Sequence, residues 1–315
     1  MYLLRRFLPL ISAAAALLIH ILIPNSPKNF DKIVPYYTIF LIIAISIFGI
    51  CTAVSFLKKN FDKIYTHKAL FYAAAILFLN VYNIATLKLM AIPSIYFPCP
   101  DKILGIFVKD HAFLLKCLGH SARLLILGFI FGLISGLTTG ILVGWSKRWS
   151  YWVMPLIRII GPIPSTAWIP IALVVFVTSM QASVFLIALA VWFPTTVLTS
   201  SGISNVKNAY FEVASTLGAN TFQKIFKIAL PDAMPSIFIG VFNGTCASFI
   251  TLMTAEMIGV KFGIGWYINW QREILAYANV YAGLITIAVS FSFLVTGLFK
   301  IRDRLLGWQK GVIKW

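Results

Sequence analysis

The sequence predicts an all-α integral membrane protein with about eight transmembrane helices. Three observations carry that expectation. Hydrophobic residues make up 60% of the chain and charged residues only 11%, against roughly 25% charged in soluble domains. The mean hydropathy is +0.91. Apolar runs recur along the whole length, so the chain is polytopic rather than a soluble domain with an anchor, and no polar stretch between the runs is long enough to fold separately.

A bilayer core of about 30 Å is crossed by about 20 helical residues. Eight segments reach that length: 7–23, 33–57, 69–92, 121–145, 151–177, 183–203, 236–258 and 279–299. The first follows Arg5-Arg6 and is alanine-rich, which is signal-like. No A-x-A cleavage pattern follows it; Ile23-Pro24-Asn25-Ser26-Pro27 does, and an uncleaved first helix is expected.

Basic residues set the orientation. With the N-terminus inside, the inner loops hold Arg5, Arg6, Lys58, Lys59, Lys63, Lys68, Lys147, Arg148, Lys207, Lys224, Lys227, Lys300, Arg302, Arg304, Lys310 and Lys314. These are 16 of the 26 basic residues, so both termini are expected in the cytoplasm of a multi-pass cell-membrane protein. Lys88, Arg123 and Arg158 fall within spans. In a soluble chain the net charge of +17 would suggest nucleic acid. Here the charge sits in short loops, with no basic patch interleaved with aromatics, and nucleic-acid binding is not expected.

Cys51 and Cys246 lie in apolar spans and read as small packing residues. Cys99 and Cys117 fall in one stretch placed outside, where a disulfide is an open alternative. His20, His67, His111 and His120 are scattered, without metal-ligand spacing, and no cofactor is expected. The polar stretch 57–68 is the natural boundary between a two-helix N-terminal segment, 1–68, and a six-span core, 69–310. The first two spans hold one glycine, Gly49, so they are expected to be peripheral, with large apolar faces beside lipid.

The fourth span carries Gly128, Gly132, Gly136, Gly140 and Gly144. At about 100° per residue this spacing forms one narrow stripe, which lets helix backbones approach closely in lipid. A smooth face for helices that slide during transport is the functional alternative. The fifth span contains Pro155, Pro162, Pro164 and Pro170. Each proline removes a backbone donor. Irregular backbone at membrane depth is tolerated only within protein or beside a cavity, so a broken helix facing the bundle interior is expected. Arg158 precedes the break and either snorkels to the cytoplasmic interface or stands near an anionic substrate's route.

The loop between the sixth and seventh spans, 204–235, is the most informative segment. Asn205 or Asn208 is expected to cap a short helix, with Glu212 near its positive end. Ala214 leaves a small contact surface and Gly218 permits a sharp turn. A second short helix should place Phe222, Ile225, Phe226 and Ala229 on one face, and Pro231 suits the first turn of the next element. Two short helices at a right angle on the cytoplasmic surface would dock a soluble partner. Glu256, the lone acid within the expected spans, is a functional candidate because an acid at membrane depth is costly. Alternatively it caps a helix or pairs with Lys261 or Arg272.

The loop resembles the EAA loop of ABC importer permeases, E-A-A-x3-G-x9-I-x-L-P. Glu212, Ala214, Gly218, Ile228, Leu230 and Pro231 match at the family's spacing, and Val213 replaces the middle alanine. Further segments are similar to the nitrate/sulfonate/taurine-type group: Phe97-Pro98-Cys99-Pro100, with Cys99 replacing a serine; Pro162-Ile163-Pro164 with Ala167-Trp168-Ile169-Pro170; and Ala255-Glu256-Met257-Ile258-Gly259 with Gly263-Ile264-Gly265. The resemblance covers about 95–304 and implies a non-catalytic permease core with two extra N-terminal spans. It further implies two ATPase subunits docked on the EAA loops, a second permease copy, and an extracytoplasmic binding protein. The implied solute is small and anionic, such as a sulfonate, taurine or nitrate. The group also imports bicarbonate and some pyrimidine vitamin precursors. No G-x-x-x-x-G-K-[ST] phosphate loop is present, so ATP hydrolysis would belong to a separate chain. A secondary transporter would instead need paired intramembrane acids and an inverted repeat, and a membrane enzyme a converging nucleophile or metal set. Neither pattern is seen.

Overall fold

The computed structural model describes residues 2–26 and 34–307. Pro27, the expected second-span start at Ile33, the end of the expected core at 308–310, and Lys310 and Lys314 lie outside the described residues. Every regular element among the described residues is helical. In order these are α1 (Tyr2–Leu22), α2 (Tyr36–Leu57), α3 (Lys59–Asn83, prolonged by a π turn Ile84–Lys88), α4 (Pro100–Lys109), α5 (His111–Trp145), α6 (Lys147–Ile160), α7 (Ile169–Val175), α8 (Ser179–Ser204), α9 (Asn208–Thr216), α10 (Thr221–Lys224), α11 (Leu230–Gly259), α12 (Ile264–Glu273) and α13 (Tyr277–Leu305). Seven helical runs are long and apolar enough to cross a membrane. The eighth expected span is a pair, Lys147–Ile160 and Ser165–Val175, bent by 86°. That bend is the break the prolines predict: Pro162 and Pro164 occupy it and Pro170 opens α7, whereas Pro155 is absorbed within α6.

Packing divides the chain into two compact units, 1–112 with 270–282 and 113–269 with 283–315. The division falls at 112, beyond the charged stretch 57–68 where composition places a boundary. In the first unit α1 packs on α2 and α3. Ala13 and Ala16 are fully buried beside Tyr37, Leu41 and Ile76. Alanine, not glycine, supplies the small residues that let α1 approach its neighbours, so the sparse glycine of the first two spans does not mean loose packing.

Both ends of α1 are fastened. The Arg6 guanidinium donates to Asp62 Oδ2 at 2.7 Å and lies 4.9 Å over the Phe56 ring. At the other end the Lys88 ammonium donates to His20 O (2.7 Å), Ile23 O (2.6 Å) and Asn25 Oδ1 (2.8 Å). A cation on unpaired carbonyls satisfies the last turn of a helix and complements its dipole. Asp101 is buried and accepts the Tyr37 backbone N–H at 2.9 Å. Burial raises its carboxyl above the ordinary range, and the Tyr37 N–H partly offsets that rise. Cys99 is a buried free thiol in this unit.

The second unit is built around α8. The five glycines of α5 meet it in register: Gly128 faces Ile187, Gly132 Ala188 and Val191, Gly136 Thr195, Gly140 Thr199, and Gly144 Ser200 and Ile203. Hydroxyl contacts lie along the same seam. Thr139 Oγ1 is 2.8 Å from Thr196 Oγ1 and accepts from Trp192 Nε1 at 3.0 Å. On α8's other flank, Gly240 and Gly244 of α11 approach Pro194, Leu198 and Val191. Cys117, expected in a loop, is a buried free thiol within α5. That helix starts ten residues before its apolar window, because Lys116, His120 and Arg123 are tolerated in its opening turns.

The seam leaves no room for side chains. An ideal Cβ at Gly132 would stand 2.5 Å from Ala188 O and 2.7 Å from Val191 Cβ, whereas one at Gly119 on the same helix meets nothing within 4 Å. Gly132→Val is therefore expected to lower stability in detergent by about 1–3 kcal/mol or more. Gly119→Ala should leave it unchanged or raise it by up to about 1 kcal/mol. Thermal denaturation of the two purified variants checks the contrast.

Candidate functional site

The segment 204–235 forms a stop-and-restart of helix. After Ser204, Asn205 closes α8 and Lys207 precedes α9. Neither asparagine caps α9 as expected: Asn208 is already its first residue, and Lys207 makes no side-chain cap. Glu212 accordingly lies one turn further in, and no acid occupies the first turn of α9. The helix ends in a Schellman turn: Ala219 N donates to Ala214 O at 2.9 Å, Gly218 N donates to Ser215 O at 3.0 Å, and Gly218 takes φ +78°. Asn220 then caps the next helix reciprocally with Gln223, at 2.8 and 2.9 Å. This N-x-x-Q capping box is readable in the sequence and is the cap that the asparagine reading missed. The restarted helix is not a separate short element. It runs through a π turn, Ile225–Ala229, into α11 as one run, Thr221–Gly259.

The six motif residues divide by environment. Ala214 is buried, Glu212 is exposed, Gly218 makes the turn and Pro231 sits in the first turn of α11. Ile228 and Leu230 pack on a core of Ile203, Val206, Ala229, Ala233, Ile237 and Val241. Phe211 of α9 meets Trp145 of α5 edge-on at 5.4 Å. The segment is therefore seated on the ends of α5, α8 and α11. Its outward side is apolar: Tyr210, Val213, Leu217, Phe222 and Phe226 are exposed, with the two phenylalanine rings 4.3 Å apart. Phe222 and Phe226 thus part company with buried Ala229, because the π turn rotates the face between them. Contiguous exposed apolar surface beside lysines is the composition of a docking surface.

A second feature lies at the bend between α6 and α7. A cavity of about 380 Å³ is lined there by Gly161, Ile163, Pro164, Ser165 and Thr166, by Phe193 and Pro194 of α8, and by Asn243, Ala247 and Thr251 of α11. The irregular backbone thus borders a cavity, as membrane depth requires. Ser165 Oγ lies 2.6 Å from Thr251 Oγ1 in its wall. The lining contains no charged side chain.

The remaining pathway candidates are dispersed. Pro162 is exposed in the bend and Pro170 is exposed at the start of α7. Trp168 packs with Ile169, Ala172, Leu186 and Ala255 rather than on the cavity. Arg158 lines a different hollow with Lys147 and Tyr151.

Glu256 is fully buried near the end of α11. Its Oε2 accepts the Gly265 backbone N–H at 2.8 Å, at the start of α12, while Ser121 Oγ of α5 accepts the Ile264 N–H at 2.8 Å. Gly263 takes φ +131°, and a Cβ on it would overlap the Glu256 carboxylate. The two glycine motifs and the acid therefore form one closed turn, with a carboxylate at a helix N-terminus. Glu256→Gln, which keeps an acceptor, is expected to fold like wild type. Glu256→Ala leaves a buried N–H without a partner and should cost about 1–3 kcal/mol. Thermal denaturation of the two variants checks the contrast, and a Glu256→Gln protein as unstable as Glu256→Ala would contradict it.

Residues 114–307 match the family model described as binding-protein-dependent transport system inner membrane component. The chain is similar to a taurine transport system permease protein of Escherichia coli, 30% identical over 155 residues, covering 49% of this chain and 56% of that one. It is similar to a bicarbonate transport system permease protein of Synechococcus elongatus, 32% identical over 163 residues, covering 51% and 55%. A nitrate import permease protein of Leptolyngbya laminosa is 29% identical over 136 residues, covering 42% and 49%. The chain thus spans about half the length of these relatives. Among solved structures, a chain of the MetNI methionine ABC transporter in an inward-facing conformation superposes with a TM-score of 0.54 at 17% identity, covering 62% of this chain and 98% of that one. At that identity the likeness concerns the fold.

Proposed function

The chain belongs to the binding-protein-dependent transport system inner membrane components, and on that premise we propose that it is the permease subunit of an ATP-driven importer for a small anionic solute. The observation that carries the proposal is the segment 204–235: a motif-matched turn, seated on three membrane helices and presenting an apolar outer face. Its position suits a soluble ATPase subunit, one per permease copy, with a binding protein delivering solute on the opposite side. The chain itself is read as non-catalytic, with both termini cytoplasmic. Relatives named for nitrate and bicarbonate transport support an anionic solute, and the one named for taurine a solute with an anionic group. The bend cavity is the proposed stretch of pathway, where Ser165, Thr166, Asn243 and Thr251 offer hydrogen bonds without a fixed charge. Such a lining suits brief contact with an anion already selected elsewhere. The first two helices are read as accessory to a six-span core from Ala69; the family match, residues 114–307, lies wholly inside that core.

In this reading the ATPase senses the turn at Gly218. That residue's φ of +78° disfavours side chains, yet nothing lies within 4 Å of an added Cβ, so a substitution acts on backbone conformation alone. Gly218→Val is expected to abolish ATPase co-purification and uptake while the protein still inserts. Gly218→Asn, which tolerates this conformation, should retain most of both. Wild-type uptake and association in the valine variant would overturn the assignment.

A further inference from the structure

A hollow of about 700 Å³ runs along α6, bordered by the ends of α5 and α8 and the start of α9. Its lining includes Trp145, Lys147, Ser150, Tyr151, Arg158 and Asn208, and no acidic side chain. Lys147 and Arg158 are exposed and form no ion pair or side-chain hydrogen bond among the described residues. They stand on one helix, eleven positions apart, which is three turns, so they fall near one face. The two helix starts add to this charge. Ser146 before α6 and Lys207 before α9 make no side-chain cap, and neither helix has an acid in its first turn. Their free N–H groups carry the positive ends of two dipoles. Two unpaired cations and several hydroxyl, amide and aromatic donors thus line one concavity next to two helix starts, and the lining holds no anion to balance them.

We propose that this hollow is a binding site for a phosphate-type oxyanion, either the headgroup of an anionic phospholipid or a free phosphate. Charge-assisted hydrogen bonds from a guanidinium and an ammonium are the strong contacts for such groups. Tyr151 and Trp152, exposed on the same helix, are residue types that favour the headgroup level of a bilayer. The occupant touches Asn208 and Phe211 of α9, so its binding bears on the docking segment. That consequence rests on the proposed function; the binding itself does not.

The test uses the full-length chain alone, without an ATPase subunit, so that its outcome is separate from the coupling experiment. Native mass spectrometry in neutral detergent measures retention of dioctanoyl phosphatidylglycerol, dioctanoyl phosphatidylcholine and inorganic phosphate. Phosphatidylglycerol or phosphate should bind, and phosphatidylcholine should bind at least about tenfold more weakly. Affinity should fall about tenfold in Lys147→Gln and in Arg158→Gln. Arg148→Gln, which removes an exposed neighbouring cation outside the lining, should change it less than about twofold. Binding of phosphatidylglycerol without phosphate identifies a lipid headgroup site, and the reverse a soluble-anion site. Equal losses in all three variants, no loss in Lys147→Gln and Arg158→Gln, or equal retention of phosphatidylcholine would overturn the proposal.

Discussion

Helices in a bilayer gain little from burying apolar side chains against one another, because lipid is equally apolar. What holds them is close approach, and here close approach is concentrated on α8. Glycines at every fourth position of α5 reach one flank, and Gly240 and Gly244 of α11 reach the other. Contact at this distance brings backbone within van der Waals reach of backbone and aligns Thr139, Trp192 and Thr196 for hydrogen bonds across the seam. α5, α8 and α11 also supply the core under 204–235, so the turn at Gly218 is seated on the same three helices.

Polar groups obey a second constraint, that each must find a partner before it enters lipid. Several polar side chains in or beside the spans serve helix ends. Lys88 closes the last turn of α1, Glu256 meets the first turn of α12, and Asn220 starts the run into α11. Exceptions are therefore informative. Lys147 and Arg158 face a hollow whose lining holds no acid, and Val213, Leu217 and Phe222 on the 204–235 segment are exposed among the described residues.

Much of this was legible in the residues. Hydropathy located the spans, four prolines located the bend, and glycine spacing marked one face of α5. The motif at Glu212–Pro231 marked the loop. What escaped has local physical causes. Hydropathy cannot see helix extending beyond the apolar window, so α5 begins at His111 rather than at Ser121. A π turn keeps 221–259 continuous where proline and loop composition suggested a stop. Asn220 caps through N-x-x-Q at the restart of helix, one element beyond the start where Asn205 and Asn208 stand. Ala13 and Ala16 do in α1 what glycine does in α5, and a count of glycines passes over them. The partnership of Glu256 with Gly263 and Gly265 is tertiary, although a separation of nine residues and two glycines was a hint.

These constraints combine into a single account of transport. A three-helix base carries the turn at Gly218 on one side and borders the bend cavity on α8 and α11. In the proposed reading, a push on the turn reaches the cavity lining through α8 and α11, which border both. The central claim is that a soluble ATPase subunit supplies that push at the exposed face of α9. A photo-reactive residue at Leu217, which is 82% exposed, tests it most directly in membranes holding both proteins. The account predicts cross-linking to the ATPase subunit from Leu217 and none from the same probe at Val177, which is 95% exposed. Cross-linking from Val177 alone, or from neither position while uptake continues, would contradict it.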